Sequence, residues 1–354
     1  MADEAARLTC DVAIVGSGPA GMSAAMGLAG SGLSTIVIER LSDSAHTRYH
    51  SICGEAVSDR MLDLLGWRPS AVTTGVDSIA ISTPKGSRVE VPAAGVIVSR
   101  PAMLAEMRGL SDAEFVHGSV ASVERTDGGF LLRLQDGREV TCRYLVGADG
   151  AHSAVRRCVF GTGPTDRIHV VNCIVSGDAP AKLEFYVGGI YGGSYGWRFP
   201  AGDGRVSVGF ETGVIRPREI DGIIEYGARD IPFGVPDRVV DGNCILVGDA
   251  ACLPNPLCYG GIGAALLSGA KAAEAVRNGK PEGYQKWLSR SLMSDRHFMK
   301  AHRAFREWTD EEIEVAMRPF RKGYSTWRGI LAAITHPSRF NVYLATFLAL
   351  RYGW

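Results

Sequence analysis

Residues Val12–Glu39 read VAIVGSGPAGMSAAMGLAGSGLSTIVIE. The apolar run Asp11–Val15 predicts a buried strand, and Gly18–Leu28, rich in Ala and Met, predicts a helix. Ser34–Ile38 (STIVI) predicts a second buried strand, giving a βαβ unit of about 30 residues. Between the first strand and the helix stands Gly16-Ser17-Gly18-Pro19-Ala20-Gly21. Gly16 permits a tight turn, Gly18 lets the backbone approach a pyrophosphate, and Gly21 lets the helix pack on the strand, with Ala20 inside the same turn. The helix N-terminus supplies N–H groups and positive dipole to phosphates. Glu39 ends the second strand 18 residues after Gly21, with Arg40 beside it, where a carboxylate accepts hydrogen bonds from ribose hydroxyls. A lone G-x-G-x-x-G marks only a tight turn; with strand, helix and acid in place it predicts dinucleotide binding.

Two more glycine-centred segments lie downstream. Val146-Gly147-Ala148-Asp149-Gly150 ends an apolar strand, and Ser153 and Arg156 open a helix. Gly248-Asp249 repeats the pattern, followed by Pro254, Pro256 and the run Gly260-Gly261-Ile262-Gly263. Each Asp has a bland reading as a helix cap. Two such strand ends downstream of a dinucleotide fingerprint favour contact with one large dinucleotide, and hence a flavoprotein.

The composition excludes several alternatives. Lys plus Arg equals Asp plus Glu at 38 each, so no global basic field for nucleic acid exists. None of the eight Cys forms a C-x-x-C pair, which argues against a zinc ribbon or an iron–sulfur cluster, and no metal site is expected. The N-terminal MADEAARLTC carries acids and no apolar core, the opposite of a signal peptide, so reduced thiols in the cytoplasm are expected. Val12–Ile38 and Ala250–Ala270 lack charge over a membrane-spanning length, but Gly and Pro clusters break both.

Along the chain, residues 41–66 read as irregular and then helical through Ser58–Leu65. Ser78–Thr83 and Ser87–Val91 read as a hairpin around Pro84-Lys85-Gly86, and Pro101–Leu110 as a helix. Ser119–Val146 reads as a meander, 168–215 as a mostly antiparallel sheet, and Gly261–Val276 as a helix. Residues 281–354 read as mainly helical, broken at Pro281, Pro319 and Pro337. The expected parts are 8–75, 93–165 and 238–280 for the nucleotide-binding domain and 76–92 for a hairpin joining the substrate sheet. The substrate domain is 166–237 and the helical C-terminal region 281–354.

The three glycine segments resemble the FAD-binding pattern of p-hydroxybenzoate hydroxylase-like flavoproteins. The resemblance implies an α/β fold: a Rossmann-type FAD-binding domain with an inserted, mostly antiparallel β-sheet substrate domain and a helical C-terminus. It places Asp149 and Gly150 near the pyrophosphate and Asp249 on a ribityl hydroxyl. It sets Gly260, Gly261 and Ile262, at a helix N-terminus, against the flavin edge. Arg100 in VSRPAML matches an arginine that approaches the FAD phosphates, although the usual Phe-Asp after it is absent.

Two further segments narrow the resemblance. Tyr49-His50-Ser51-Ile52-Cys53-Gly54-Glu55-Ala56 and Tyr195-Gly196-Trp197-Arg198-Phe199-Pro200 together resemble the geranylgeranyl reductase family, closer to its archaeal digeranylgeranylglycerophospholipid reductase type. That family implies Cys53 and Gly54 near the flavin, and Tyr195, Trp197, Phe199 and Pro200 lining a prenyl pocket. The implied reaction saturates C=C bonds of geranylgeranyl chains on a lipid or a diphosphate. Hydride comes from reduced flavin and a proton through Cys53, fed by Glu55 or His50. The electron donor is NAD(P)H or a ferredoxin-like carrier.

The bland alternatives stay beside this reading. Cys53 reads equally as a small buried hydrophobe, and Tyr195 and Trp197 as sheet core. An aromatic monooxygenase of the same fold is the alternative enzyme. A flavin halogenase would carry W-x-W-x-I-P where Tyr195–Pro200 stands, and a non-catalytic prenyl carrier is the alternative of another class. The basic cluster Arg318, Arg321, Lys322 and Arg328, followed by the apolar Phe340–Leu350, reads either as peripheral membrane contact or as a solvated helix plus a docking helix.

Overall fold

The computed structural model describes residues 7–213 and 217–352; the acidic start of the N-terminus lies outside the described residues. The chain opens with β1 (Arg7–Val15), α1 (Pro19–Leu28) and β2 (Thr35–Glu39), the βαβ unit expected from Val12–Glu39. Then come α2 (Asp43–Ser51), β3 (Ala56–Ser58), α3 (Asp59–Leu65), the hairpin β4 (Val72–Ser82) and β5 (Arg88–Val98), and α4 (Arg100–Gly109). β6 (Glu114–His117), β7 (Val120–Thr126), β8 (Gly129–Leu134) and β9 (Glu139–Gly147) follow. Next are β10 (Asp166–Ser176), β11 (Lys182–Val187), β12 (Tyr195–Gly202), β13 (Arg205–Glu211), β14 (Ile223–Phe233), β15 (Val240–Asp241) and β16 (Cys244–Leu246). Helices α5 (Ile262–Arg277), α6 (Glu282–Leu288), α7 (Arg296–Glu307), α8 (Asp310–Met317), α9 (Thr326–Thr335) and α10 (Phe340–Tyr352) complete it.

Two sheets organise these elements. The first runs β15-β16-β9-β1-β2-β6, with β7 and β8 attached through β9. Its central pairs are parallel, and Val12, Ala13, Ile14, Val37 and Leu145 are fully buried, as expected for a sheet covered on both faces. Helices α1 and α5 pack closely because their contact is lined by small residues. A Cβ on Gly27 would lie 2.8 Å from Ala273 Cβ, and one on Gly269 would overlap the Ala20 carbonyl. The second sheet runs β14-β10-β13-β12-β11-β4-β5-β3 and is antiparallel except where β11 meets β4. Because β4 pairs with β11, the hairpin is built into the second sheet.

Elements the sequence reading did not predict include α2 and β14. Residues 43–51 form a helix although DSAHTRYHS is polar, because its His46 and His50 side chains lie against the turn at residues 17–18. The edge strand β14 escapes sequence detection because Ile224 and Tyr226 project to solvent, so it lacks an apolar run. No helix among the described residues is long and apolar enough to cross a membrane. The apolar C-terminal run docks instead: Val342, Ala345 and Ala349 of α10 are buried against Phe298 and Ala301 of α7.

Candidate functional site

The glycine segments meet at the C-terminal ends of β1, β9 and β16, where open α/β sheets bind ligands. Gly16 has φ +99°, and a Cβ there would overlap the Ala148 carbonyl of the second segment. Gly248 has φ +55°, and its Cβ would sit 2.8 Å from that of Ala20. Buried Arg156 ties the second segment to the third, donating from Nη1 to the carbonyls of Ala250 (2.8 Å) and Asp249 (3.3 Å) and from Nη2 to that of Ala151 (2.7 Å). This cross-link is a positioning role that sequence reasoning missed; the Arg pair after Asp149-Gly150 was its signal.

The acidic residues divide by partner. Glu39 accepts from the Ser17 N–H and hydroxyl, both at 2.8 Å, and from the Leu41 N–H, so it joins the end of β2 to the turn after β1. Arg40 beside it is exposed. Asp149 accepts from Ser153 Oγ, Ala154 N and Val155 N, which is the capping role its sequence left open; Gly150 beside it has φ +77°. The Asp249 carboxylate accepts no hydrogen bond among the described residues. It sits at the start of α5, where a Cβ on Gly261 would be 3.7 Å from its Oδ1. Burial pushes it up to about 6, against the opposing charges of Arg100 and Arg156.

These features fit an FAD. The start of α1 at Gly18 and the start of α5 at Gly261–Ile262 carry no side-chain cap, leaving their first N–H groups to a ligand. The unpartnered Asp249 carboxylate lies beside the second of these ends. Space at Gly18 is open except for the His50 ring, whose Cε1 would lie 3.6 Å from an added Cβ.

His50 therefore stands at the phosphate turn, and no hydrogen bond joins it to Cys53 among the described residues. Burial, then the charges of Arg100, His46 and Arg229, push its pKa down to about 2, so the ring is neutral at neutral pH. Arg100, at the start of α4, donates from Nε to the His50 carbonyl (3.0 Å) and from its backbone N–H to Glu55 Oε1 (2.8 Å). It clamps the segment rather than standing free.

The loop Cys53-Gly54-Glu55 meets the aromatic strand β12. A Cβ on Gly54 would lie 3.0 Å from Phe199 Cδ2 and 3.7 Å from Trp197 Nε1. Trp197 Nε1 donates to Asn172 Oδ1 (3.1 Å), which also accepts from Ser207 Oγ, and Ser207 Oγ lies 3.3 Å from the Cys53 carbonyl. Gly209 makes room for the indole, since a Cβ there would fall inside the Trp197 ring. Glu55 is held at φ +55°, and burial raises its carboxyl to about 7 despite Arg100 and Arg205 nearby. A left-handed φ on Glu is uncommon and is held here by the surrounding structure.

Tyr195, Trp197 and Phe199 share one face of β12, as period-2 alternation requires. Phe185 touches Tyr195 and Phe199 edge-on, with centroids 5.1 and 5.2 Å apart. Pro200 does not belong to this wall: it pairs with Val206, whose side chain packs with Val171 and Phe210 on the other face. In its place stands Tyr259, missed by the sequence reading, whose ring stacks on Tyr195 at 5.1 Å. Tyr259 directly precedes Gly260-Gly261, so the third glycine segment also reaches the wall. Its φ of +51°, invisible in the sequence, turns it there.

Comparisons with known proteins agree with this geometry. A family model described as "FAD binding domain" matches residues 9–80 and 102–183. Digeranylgeranylglycerophospholipid reductase 2 of Methanothermobacter thermautotrophicus is 31% identical, covering 87% of this chain and 91% of its own. The reductase of the same name from Methanosarcina acetivorans is 27% identical, covering 87% and 83%. A geranylgeranyl bacteriochlorophyll reductase-like protein of Thermoplasma acidophilum superimposes with a TM-score of 0.78 over 94% of this chain and 97% of its own, at 22% identity. A probable FAD-dependent monooxygenase from Pseudomonas aeruginosa shares the fold with a TM-score of 0.67 at 16% identity, covering 87% of this chain and 98% of its own. The chain is an FAD-binding protein that belongs to the digeranylgeranylglycerophospholipid reductase family.

Proposed function

We propose that the chain is an FAD-dependent reductase that saturates C=C bonds of geranylgeranyl chains carried by a lipid or a diphosphate. The observation that carries this reading is the close approach of Gly54 to Phe199 and Trp197, which joins the loop Cys53-Gly54-Glu55 to the aromatic wall. The names of the relatives agree with the substrate class. Gly16, Gly18, Ala20 and Gly21 would receive the dinucleotide phosphates, Glu39 its ribose, Asp249 a ribityl hydroxyl, and the Gly260–Ile262 backbone the flavin edge. FAD, once reduced by NAD(P)H or a ferredoxin-like carrier, supplies a hydride equivalent.

The residues of the chain do the rest. Tyr195, Trp197, Phe199, Phe185 and Tyr259 give rigid apolar walls that hold a prenyl chain and exclude water. Saturating an alkene also consumes a proton, delivered to the carbon that does not receive the hydride. Glu55, with a pKa near 7, holds that proton at neutral pH, and the half-buried Cys53 thiol beside it is the group to relay it. Anaerobic addition of geranylgeranyl lipid to the dithionite-reduced protein tests the proposal. The reading expects the oxidised flavin absorbance to return in step with alkene consumed. A spectrum unchanged over many minutes contradicts it.

A further inference from the structure

Helix α9 presents an apolar face to solvent. Trp327, Leu331 and Ile334 are 79%, 61% and 71% exposed, and Ile330 is exposed as well. The four residues stand at i, i+3, i+4 and i+7, a single stripe on one side of the helix. On the inner side Ala332 is buried. Phe340, at the start of α10, is also exposed and follows the same corner of the molecule. Burying such a stripe in an apolar phase is favourable by the hydrophobic effect, and patches of this kind mark contact sites.

The segment that carries the helix holds charge of one sign only. Residues 318–354 hold Arg318, Arg321, Lys322, Arg328, Arg339 and Arg351 and no Asp or Glu, in a chain whose totals balance at 38 each. Arg328 donates to the carbonyls of Lys322 and Gly323 and so fixes the loop that carries Lys322 beside the stripe. Arg321 is paired with Glu314 of α8, and Arg339 stacks over Trp308. Two copies meeting on this face would bring cations against cations. An anionic surface complements it, and aromatic and aliphatic residues with a cationic rim are what interfacial helices use to enter the headgroup boundary of a bilayer.

The helix is also linked to the site through packing. Helix α9 packs on α10, and Leu350 near the other end of α10 packs against the cluster that contains Phe199 and Trp197. We infer that α9 is an interfacial docking element that seats the protein on an anionic lipid surface, with Trp327, Ile330, Leu331 and Ile334 in the headgroup boundary and the cations above them. This deepens, and takes its purpose from, the prenyl-lipid reading proposed above. Helix α10 is then the support of the docking element, since its Val342, Ala345 and Ala349 are turned inward onto α7.

Flotation of the FAD-loaded protein with vesicles tests the inference without turnover. Phosphatidylglycerol vesicles that contain no prenyl lipid are compared with phosphatidylcholine vesicles, at low and high salt. The protein is expected to float with the anionic vesicles, and less so at high salt. The double variant Ile330→Glu/Ile334→Glu is expected to lose about tenfold or more of that binding. Retained flavin absorbance, and unchanged reduction of a dispersed geranylgeranyl diphosphate, establish that the variant is folded. Equal binding of variant and wild type, or no binding of wild type to anionic vesicles, overturns the docking role. So does a wild-type dimer that the double variant converts to monomer, because the face then belongs to a second copy. Loss of alkene reduction by wild type with vesicle binding intact would strike the prenyl reading alone.

Discussion

Gly54 lies so close to Phe199 that a side chain on it would meet the ring at 3.0 Å. The contact joins a loop on the nucleotide side of the molecule to a strand of the second sheet, and it favours glycine because the Phe199 ring is itself packed against Phe185. Gly54→Val should displace Phe199 or the loop by several tenths of an ångström or more. Alkene reduction should fall by about tenfold to a hundredfold while the protein keeps its flavin, since small misplacements of reacting groups are costly. Turnover by the variant equal to wild type would show that the loop and the wall do not act together.

Glu55 gives a pH dependence with a defined sign. Its carboxyl is raised to about 7 by burial, so it is protonated below that value and charged above it. If it holds the transferred proton, turnover should decline by about tenfold per pH unit above 7, and Glu55→Gln should remove that limb. Stability follows the same sign. The folded protein binds this proton more tightly than the unfolded chain, so its contribution is complete below the ordinary carboxyl pKa and fades as pH rises through about 7. Thermal melts across pH 5–8 should show that decline in wild type and a smaller one in Glu55→Gln.

Asp149 and Asp249 look alike in sequence, each just after a Gly-containing strand end, but their substitutions should separate. Asp149→Ala removes an acceptor for three N–H and O–H donors and should cost stability by about 0.5–2 kcal/mol, as loss of a cap does, read as a lower denaturant midpoint. Asp249→Ala should leave the fold intact and weaken FAD by about tenfold to a hundredfold, the worth of a charged hydrogen bond. Equilibrium dialysis that finds equal flavin retention in wild type and Asp249→Ala would remove its ribityl role.

That contrast shows what the sequence carries and what it does not. The βαβ unit was legible because strand period, glycine spacing and the acid at Glu39 all depend on neighbours in the chain. That Asp149 caps the turn after it while the Asp249 carboxylate has no partner among the described residues was not, because both outcomes depend on where the backbone turns after the strand. Pro200 was grouped with Trp197 and Phe199 by the family resemblance of Tyr195–Pro200, whereas pleating sends it to the opposite face. Tyr259 joined the wall unseen, since a positive φ on Tyr leaves no mark in composition. His50 stood in the right segment, but only burial reveals that its ring stays neutral.

Trp197 should act on the prenyl chain and not on the cofactor. Its indole is held by Asn172 and fills space that Gly209 vacates. Trp197→Ala should raise KM for the prenyl substrate by about tenfold or more, the worth of losing a buried aromatic wall, with FAD affinity changed far less. The opposite ranking in paired titrations would move Trp197 out of the pocket.

The central claim is that this site adds hydrogen across prenyl double bonds. Mass spectrometry of a geranylgeranyl lipid incubated anaerobically with the reduced, FAD-loaded protein tests it most directly. The account predicts products heavier than the substrate by one H₂ for each double bond saturated, formed about tenfold to a hundredfold more slowly by Gly54→Val. A lipid recovered at unchanged mass, or one heavier by an oxygen atom when air is admitted, would contradict it.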